Sequence, residues 1–349
     1  MESSRKKVLE VTNLQIKFQV RDRQLNAIRN LSMDLYEGET LAIVGESGSG
    51  KSVLIKSFTG MLETNGSITN GSIMYEGEDL AQRSGDKAWE GLRGKKIATV
   101  FQDPMTSLNP VRTIGYQISE VLVKHQNMSK KAAKEAALAL MERVGIPNAE
   151  KRYSDYPHMY SGGMRQRIVI AIALACRPHI LICDEPTTAL DVTIQSQILK
   201  LIRELQLEYG FTTIYITHDL GVVANVADRV MVMYSGQVIE IGEVEEVFYE
   251  PAHPYTWALL SSLPQLGVKG ESLYSIEGTP PSLYHEVIGD AFAPRNPYAM
   301  AVDFEEEPPM YQVSPTHFAK TWLCDERAPK VSRPEVIRDI HEKLIAIYK

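Results

Sequence analysis

Thr40-Leu41-Ala42-Ile43-Val44-Gly45-Glu46-Ser47-Gly48-Ser49-Gly50-Lys51-Ser52 is the stretch on which the reading of this chain turns. Five residues of apolar, strand-like sequence run into a glycine-rich loop, and residues 52–61 beyond it suit a helix. Glycine, four residues, then Gly-Lys-Ser is a phosphate-cradling pattern, and it requires this strand-before, helix-after context. The glycines let backbone N–H groups curl round phosphate oxygens, and the helix start adds a partial positive charge. Gly45, Ser47, Gly48 and Gly50 would shape the cradle. Lys51 would hold the terminal phosphates, Ser52 would ligate Mg²⁺, and Val53 follows in the helix.

A second anchor lies far downstream. Ile180-Leu181-Ile182-Cys183-Asp184-Glu185 is an apolar strand that delivers two carboxylates at its carboxyl end, where open α/β sheets place their ligands. Adjacent strand residues point to opposite faces, so the two can do different work only if the chain turns just after Asp184. Pro186 suits that turn. Asp184 would orient Mg²⁺ and Glu185 would polarise an attacking water as general base. Taken alone, a solvated acidic strand end would read the same way.

Between and around these anchors the pattern alternates. Residues 8–20 and 32–35 read as strands, and Ser129 opens a helix that carries Leu140, Met141 and Val144 on one side and stops at Gly145. A helical insert is expected at about 103–165. Residues 166–176, 180–183, 192–209 and 212–217 then read helix, strand, helix, strand, which predicts a parallel sheet covered on both faces. Composition shifts near Pro251 to proline-rich and acidic stretches. The last residues are expected to form a helix capped by Ser332 and Glu335, with Ile337, Ile340, Leu344 and Tyr348 along one face.

Bulk properties narrow the class. The 349 residues, 44% hydrophobic and 23% charged, are those of an ordinary globular chain, long enough for one large domain and an appendage. No apolar run approaches the roughly 20 residues that span a bilayer. The amino terminus lacks the apolar stretch of a signal peptide, so a cytosolic protein is expected. A net charge of −7 without a clustered basic face argues against a nucleic-acid surface. Cys176, Cys183 and Cys324 form no metal-ligand spacing and no disulfide framework.

On these motifs the chain resembles the ATP-binding cassette (ABC) subunits over about residues 8–260, with further elements in family order. Gln102, after Ala98-Thr99-Val100-Phe101, matches the Q-loop and implies Mg²⁺ or water contact. Ser161-Gly162-Gly163-Met164 matches the signature, with Met164 where glutamine is common. Ala189-Leu190-Asp191 matches the D-loop, and His218 the switch histidine that touches the terminal phosphate. Phe18 lies where the family stacks an aromatic ring on adenine. In isolation Gln102 could be a polar strand end, His218 a hydrogen-bonded core histidine and Phe18 an inward-facing strand residue.

The resemblance implies an α/β fold, a P-loop NTPase cassette with a RecA-like parallel-sheet core, an antiparallel β-subdomain and a helical signature subdomain. The cassette would occupy 1–260 and a C-terminal extension 261–349. It also implies that Ser161, Gly162 and Gly163 meet ATP held by an opposite subunit.

The branch resembled is that of the oligopeptide and dipeptide importers, through Tyr156-Pro157-His158-Met159-Tyr160 before the signature and through tail segments. These are His253-Pro254-Tyr255-Thr256, Leu263-Pro264, Ile276-Glu277-Gly278-Thr279-Pro280-Pro281 and Phe292-Ala293-Pro294-Arg295-Asn296-Pro297-Tyr298-Ala299-Met300. Many relatives hold an iron–sulfur cluster on tail cysteines. Here Asp290, Asn296, Asp303 and Thr321 take those places, so no cluster is expected.

The reading is therefore an ATPase using ATP and Mg²⁺, peripheral on the cytoplasmic face of the membrane. It would pair with a similar but non-identical ATPase and two permeases and act indirectly with an extracellular peptide-binding protein, without nucleic acid. A nickel or other small-solute importer, and a soluble cassette ATPase acting on ribosomes or DNA, are the alternatives. A regulatory nucleotide-binding module with little turnover is a third.

Overall fold

A computed structural model describes residues 5–188, 190–263, 276–338 and 340. Ala189, Pro264, Leu344 and Tyr348, named in the sequence reading, lie outside them. The chain divides into two compact units, neither of them a continuous stretch.

The first unit takes in residues 36–40 and 83–216. Three strands, Ile97–Val100, Ile180–Asp184 and Thr212–Ile216, pair in parallel and in step, with Ile97 opposite Ile180 and Ile180 opposite Thr212. Every residue of the last is buried, and so is all of the middle strand but Asp184. This double-sided burial is why these strands read as continuous apolar runs rather than alternating ones.

The helices of this unit follow their capping chemistry. Ser129 accepts a hydrogen bond from the Ala132 amide and opens Lys130–Arg143, which buries Ala133, Ala137 and Met141, one face at i, i+4 spacing. Val144 is also buried, and Gly145 follows at φ +80°. Thr113 caps Ile114–Gln126, and Asp191 caps Val192–Tyr209, which ends on left-handed Gly210. The helix expected at 166–176 begins earlier, at Gly162, because the Ser161 side chain receives the Met164 amide.

The second unit takes in residues 6–35, 41–82 and the chain from 217 onward. One antiparallel sheet runs in the order Arg23–Tyr36, Lys7–Val20, Gly66–Tyr75, Glu78–Asp79. The strand Arg23–Tyr36 is far longer than the 32–35 read from sequence. Polar residues such as Asn26 and Asn30 hide the alternation, and Asn30 itself turns to φ +46°. Asn13 (φ +47°) marks a break in register between Thr12 and Gln15 on the neighbouring strand.

In the same unit Thr40–Val44, the strand that feeds the glycine loop, pairs in parallel with Arg229–Tyr234. Gln237–Glu243 adds antiparallel beyond that, then Phe318–Ala319 and Tyr311–Gln312 from the tail. The tail is tied there by a buried polar cluster. Glu240, fully buried, accepts from His317 Nε2 at 2.7 Å and from the backbone amides of Ala252 and His253. Residues 335–338 form turns, with Ile337 and Ile340 buried.

Candidate nucleotide site

Glycine is required where the loop leaves the strand. Gly45 sits at φ +146°, and a Cβ there would lie 2.2 Å from the Met233 carbonyl oxygen. Gly48 (φ +81°) and Gly50 (φ +104°) continue the curl, and Gly50 is the N-cap of the helix Lys51–Phe58. A Cβ on Gly50 would crowd Ile28 and the Ala27 carbonyl. The Gly236 amide donates to the Ser49 carbonyl at 2.9 Å and fixes the loop from the adjoining turn.

Lys51 is buried and folds back over this loop. Its ammonium donates to the carbonyls of Gly45 at 2.8 Å and Glu46 at 2.9 Å and to Ser49 Oγ at 3.3 Å. Ser47, Gly48 and Ser52 are exposed and Val53 is half-buried. In the same unit His218 is exposed. The next residue, Asp219, caps the helix Leu220–Val226 through the amides of Gly221 and Val222. Phe18 is only 8% exposed and its ring lies over Gly66, the packing of a strand core residue, which leaves little ring face for a base.

The other unit gathers the second group of expected residues. The strand ends at Asp184, and the turn falls on Glu185 itself at φ +48°, a left-handed conformation uncommon for a residue other than glycine. The Glu185 amide is satisfied by the Ile216 carbonyl at 2.9 Å. Its side-chain Oε2 accepts from Gln102 Nε2 at 3.1 Å and from Thr188 Oγ1 at 3.0 Å. Gln102 and Glu185, read separately from the sequence, thus meet directly. Thr188 was not foreseen, although its position three residues after Glu185 was the available signal.

Ser161, Gly162 and Gly163 form the start of the helix Gly162–Leu174. Ser161 and Gly162 are exposed and Gly163 half-buried. An added Cβ on Gly162 would make only an ordinary contact with Leu190, 3.7 Å away, whereas one on Gly163 would lie 2.6 Å from Ile194. Asp191 is exposed, and its carboxylate accepts from the Ile194 amide at 3.0 Å.

Two contacts on the phosphate loop escaped the sequence reading altogether. The Glu46 amide donates to Tyr255 Oη at 2.8 Å, and the Glu46 carboxylate takes both prongs of Arg295, at 2.7 and 3.0 Å. Arg295 lies 249 residues away, so no local spacing could reveal the pair. The Glu46 hydrogen bonds, followed by those of Tyr234, hold the guanidinium even more firmly protonated than usual. Tyr234, Tyr255 and Phe292 pack beneath as an aromatic cluster with ring centroids 4.7–5.4 Å apart.

The four tail residues expected in the places of cluster cysteines are all buried, and each accepts a backbone amide. Asp290 takes Phe292, Asn296 takes Tyr298, Asp303 takes Met300 and Thr321 takes Leu323. Among the described residues no group of three or more His, Cys, Asp or Glu side chains could hold a metal ion. No described helix is long and apolar enough to cross a membrane.

Known proteins resemble this chain along most of its length. Residues 28–188 match the ABC transporter family, and residues 239–302 match the oligopeptide/dipeptide transporter C-terminal region. The chain is 64% identical to the oligopeptide transport ATP-binding protein AmiE of Streptococcus pneumoniae, over 97% of this chain and 95% of that one. It is 55% identical to OppD of Bacillus subtilis, an oligopeptide transport ATP-binding protein, over 97% and 95%. Among solved structures it is similar to the dimeric post-hydrolysis cassette MJ0796 bound to ADP and Pi. That match has a TM-score of 0.60 and 26% identity, and it covers 68% of this chain and 98% of that one. CbiO1 of Clostridium perfringens matches with a TM-score of 0.61 at 32% identity, over 70% and 91%.

Proposed function

We propose a division of labour for the residues of this chain, which belongs to the ABC transporter ATP-binding subunits, in their oligopeptide and dipeptide branch. It is an ATPase that powers a peptide importer. The relatives favour peptides over nickel and over action on ribosomes or DNA.

Gly45 to Ser52 receives the phosphates of ATP on its backbone amides, and Lys51 exchanges its loop carbonyls for phosphate oxygens. Ser52, Asp184 and Gln102 present the oxygen donors that suit Mg²⁺. When bound, the ion neutralises phosphate charge. Glu185 accepts a proton from the attacking water, and Gln102 and Thr188 orient its carboxylate. His218 contacts the terminal phosphate. Ser161, Gly162 and Gly163, together with Asp191, serve the nucleotide of a second, similar ATPase subunit. Phe18 adds to base binding only if its ring moves off Gly66.

The tail fits turn-capping and not iron–sulfur ligation, since Asp290, Asn296, Asp303 and Thr321 carry no thiolate and each accepts a backbone amide. Two permeases, a non-identical second cassette and an extracellular peptide-binding protein complete the assembly, with this subunit on the cytoplasmic face. The Gln102–Glu185 contact, held at a strand end whose turn exposes the carboxylate, supports this reading best.

Proteoliposomes carrying the whole complex test it. ATP-dependent accumulation of an oligopeptide, abolished by Lys51→Ala in this subunit, is the expected result. A complete complex that hydrolyses ATP and moves no di- or oligopeptide would overturn it.

A further inference from the structure

Arg295 ends the single helical turn Ala293–Arg295. Its backbone is set on both sides, by Asp290 receiving the Phe292 amide and by Asn296 receiving the Tyr298 amide. The side chain is 5% exposed, and all five N–H donors of the guanidinium find acceptors. Nη1 reaches Glu46 Oε2 and, at 3.2 Å, Tyr234 Oη; Nη2 reaches Glu46 Oε1 and, at 3.3 Å, the Ile276 carbonyl. Nε donates to the Glu277 carbonyl at 2.9 Å. The fork therefore ties together four pieces of sequence: the turn at 293–295, the segment at 276–277, the strand end at Tyr234 and the phosphate loop.

Glu46 is the odd residue of that loop. A carboxylate one position into a phosphate cradle opposes the charge that the cradle is built to accept. Here it is clamped at three points, since its amide meets Tyr255 Oη, its carbonyl meets Lys51 Nζ and its carboxylate meets Arg295. The bidentate pairing both neutralises the charge and fixes its direction.

We propose that Arg295 is a positioning residue for nucleotide binding: by forking onto Glu46 it holds the phosphate loop in place and cancels a carboxylate that would otherwise repel ATP. The tail thereby sets the affinity of the loop, so its seating and nucleotide occupancy are linked. This inference rests on the reading of Gly45–Ser52 as the ATP cradle.

Binding of a fluorescent ATP analogue to the full chain, with ATPase KM and kcat in the complex, is the test. Arg295→Gln is expected to weaken analogue binding and raise KM by about ten-fold with little change in kcat, and the deficit should shrink at high salt. Arg295→Lys, which keeps the charge, should recover most of the affinity. Arg295→Gln combined with Glu46→Gln should recover it too, by removing the stranded carboxylate. Thermal melting reports whether each variant folds. If Arg295→Gln fails to fold, Arg295→Lys against Arg295→Lys/Glu46→Gln carries the same comparison, with less salt sensitivity expected in the double variant. Normal binding by Arg295→Gln, or a deficit that neither salt nor Glu46→Gln relieves, would overturn the proposal. No analogue binding by the unaltered chain would overturn the cradle reading and this inference together.

Discussion

Gln102 Nε2 donates to Glu185 Oε2 across 3.1 Å, joining two strand ends that are 83 residues apart in sequence. The same oxygen also accepts from Thr188 Oγ1, so the carboxylate is oriented from two sides. Orientation of a general base acts on the chemical step. Gln102→Ala is therefore expected to lower kcat about ten-fold or more, with a much smaller change in nucleotide binding. Steady-state kinetics with a parallel binding titration separate the two.

Gly162 and Gly163 are adjacent and should respond in opposite ways to alanine. Replacing a glycine in the first turn of a helix gains at most the roughly 0.5–1 kcal/mol found in a helix interior. At Gly162 nothing opposes this, as the nearest side chain is Leu190 at 3.7 Å. At Gly163 the new Cβ would collide with Ile194 at 2.6 Å, and overpacking of this kind costs about 1–3 kcal/mol. Thermal melts should show Gly162→Ala at or above the unaltered chain and Gly163→Ala below it, with Ile194→Ala relieving the second.

Asp290 gives the tail a dependence on pH. Burial, with the nearby Asp303 carboxylate adding to it, pushes the Asp290 carboxyl up to about 6, and its Oδ2 meets no hydrogen-bond donor. A carboxyl raised on folding binds its proton more tightly in the folded chain. Its favourable contribution is complete below the unfolded value near 4 and is lost as pH rises through about 6. Asp290→Asn keeps the acceptor for the Phe292 amide without the charge. It should exceed the unaltered chain in stability by about 1–3 kcal/mol at pH 8, and the gap should narrow toward pH 4. Denaturant melts at the two pH values check it, and a constant gap would contradict this account of Asp290.

The sequence made some of this visible for identifiable reasons. Gly45 to Ser52 is local and sterically demanding, and the apolar strand 180–184 must be continuous because both of its faces are covered, so both could be read directly. The turn needed after Asp184 was foreseen, but it lies on Glu185 itself, a left-handed position for which the residue type gives no hint. The strand Arg23–Tyr36 was hidden because its polar residues and a left-handed Asn30 break the alternation. The Arg295–Glu46 clamp and the Glu240–His317 pair are distant in sequence, and charged residues ordinarily face water.

With Glu185 activating the water that cleaves ATP held by Lys51, Glu185→Gln should stop turnover without stopping binding. Amide for carboxylate preserves shape and removes the base, so turnover by the assembled transporter should fall by about 10²-fold or more. ATP should still bind and remain trapped uncleaved. Turnover at the unaltered rate, with ADP accumulating as before, would rule out Glu185 as the base.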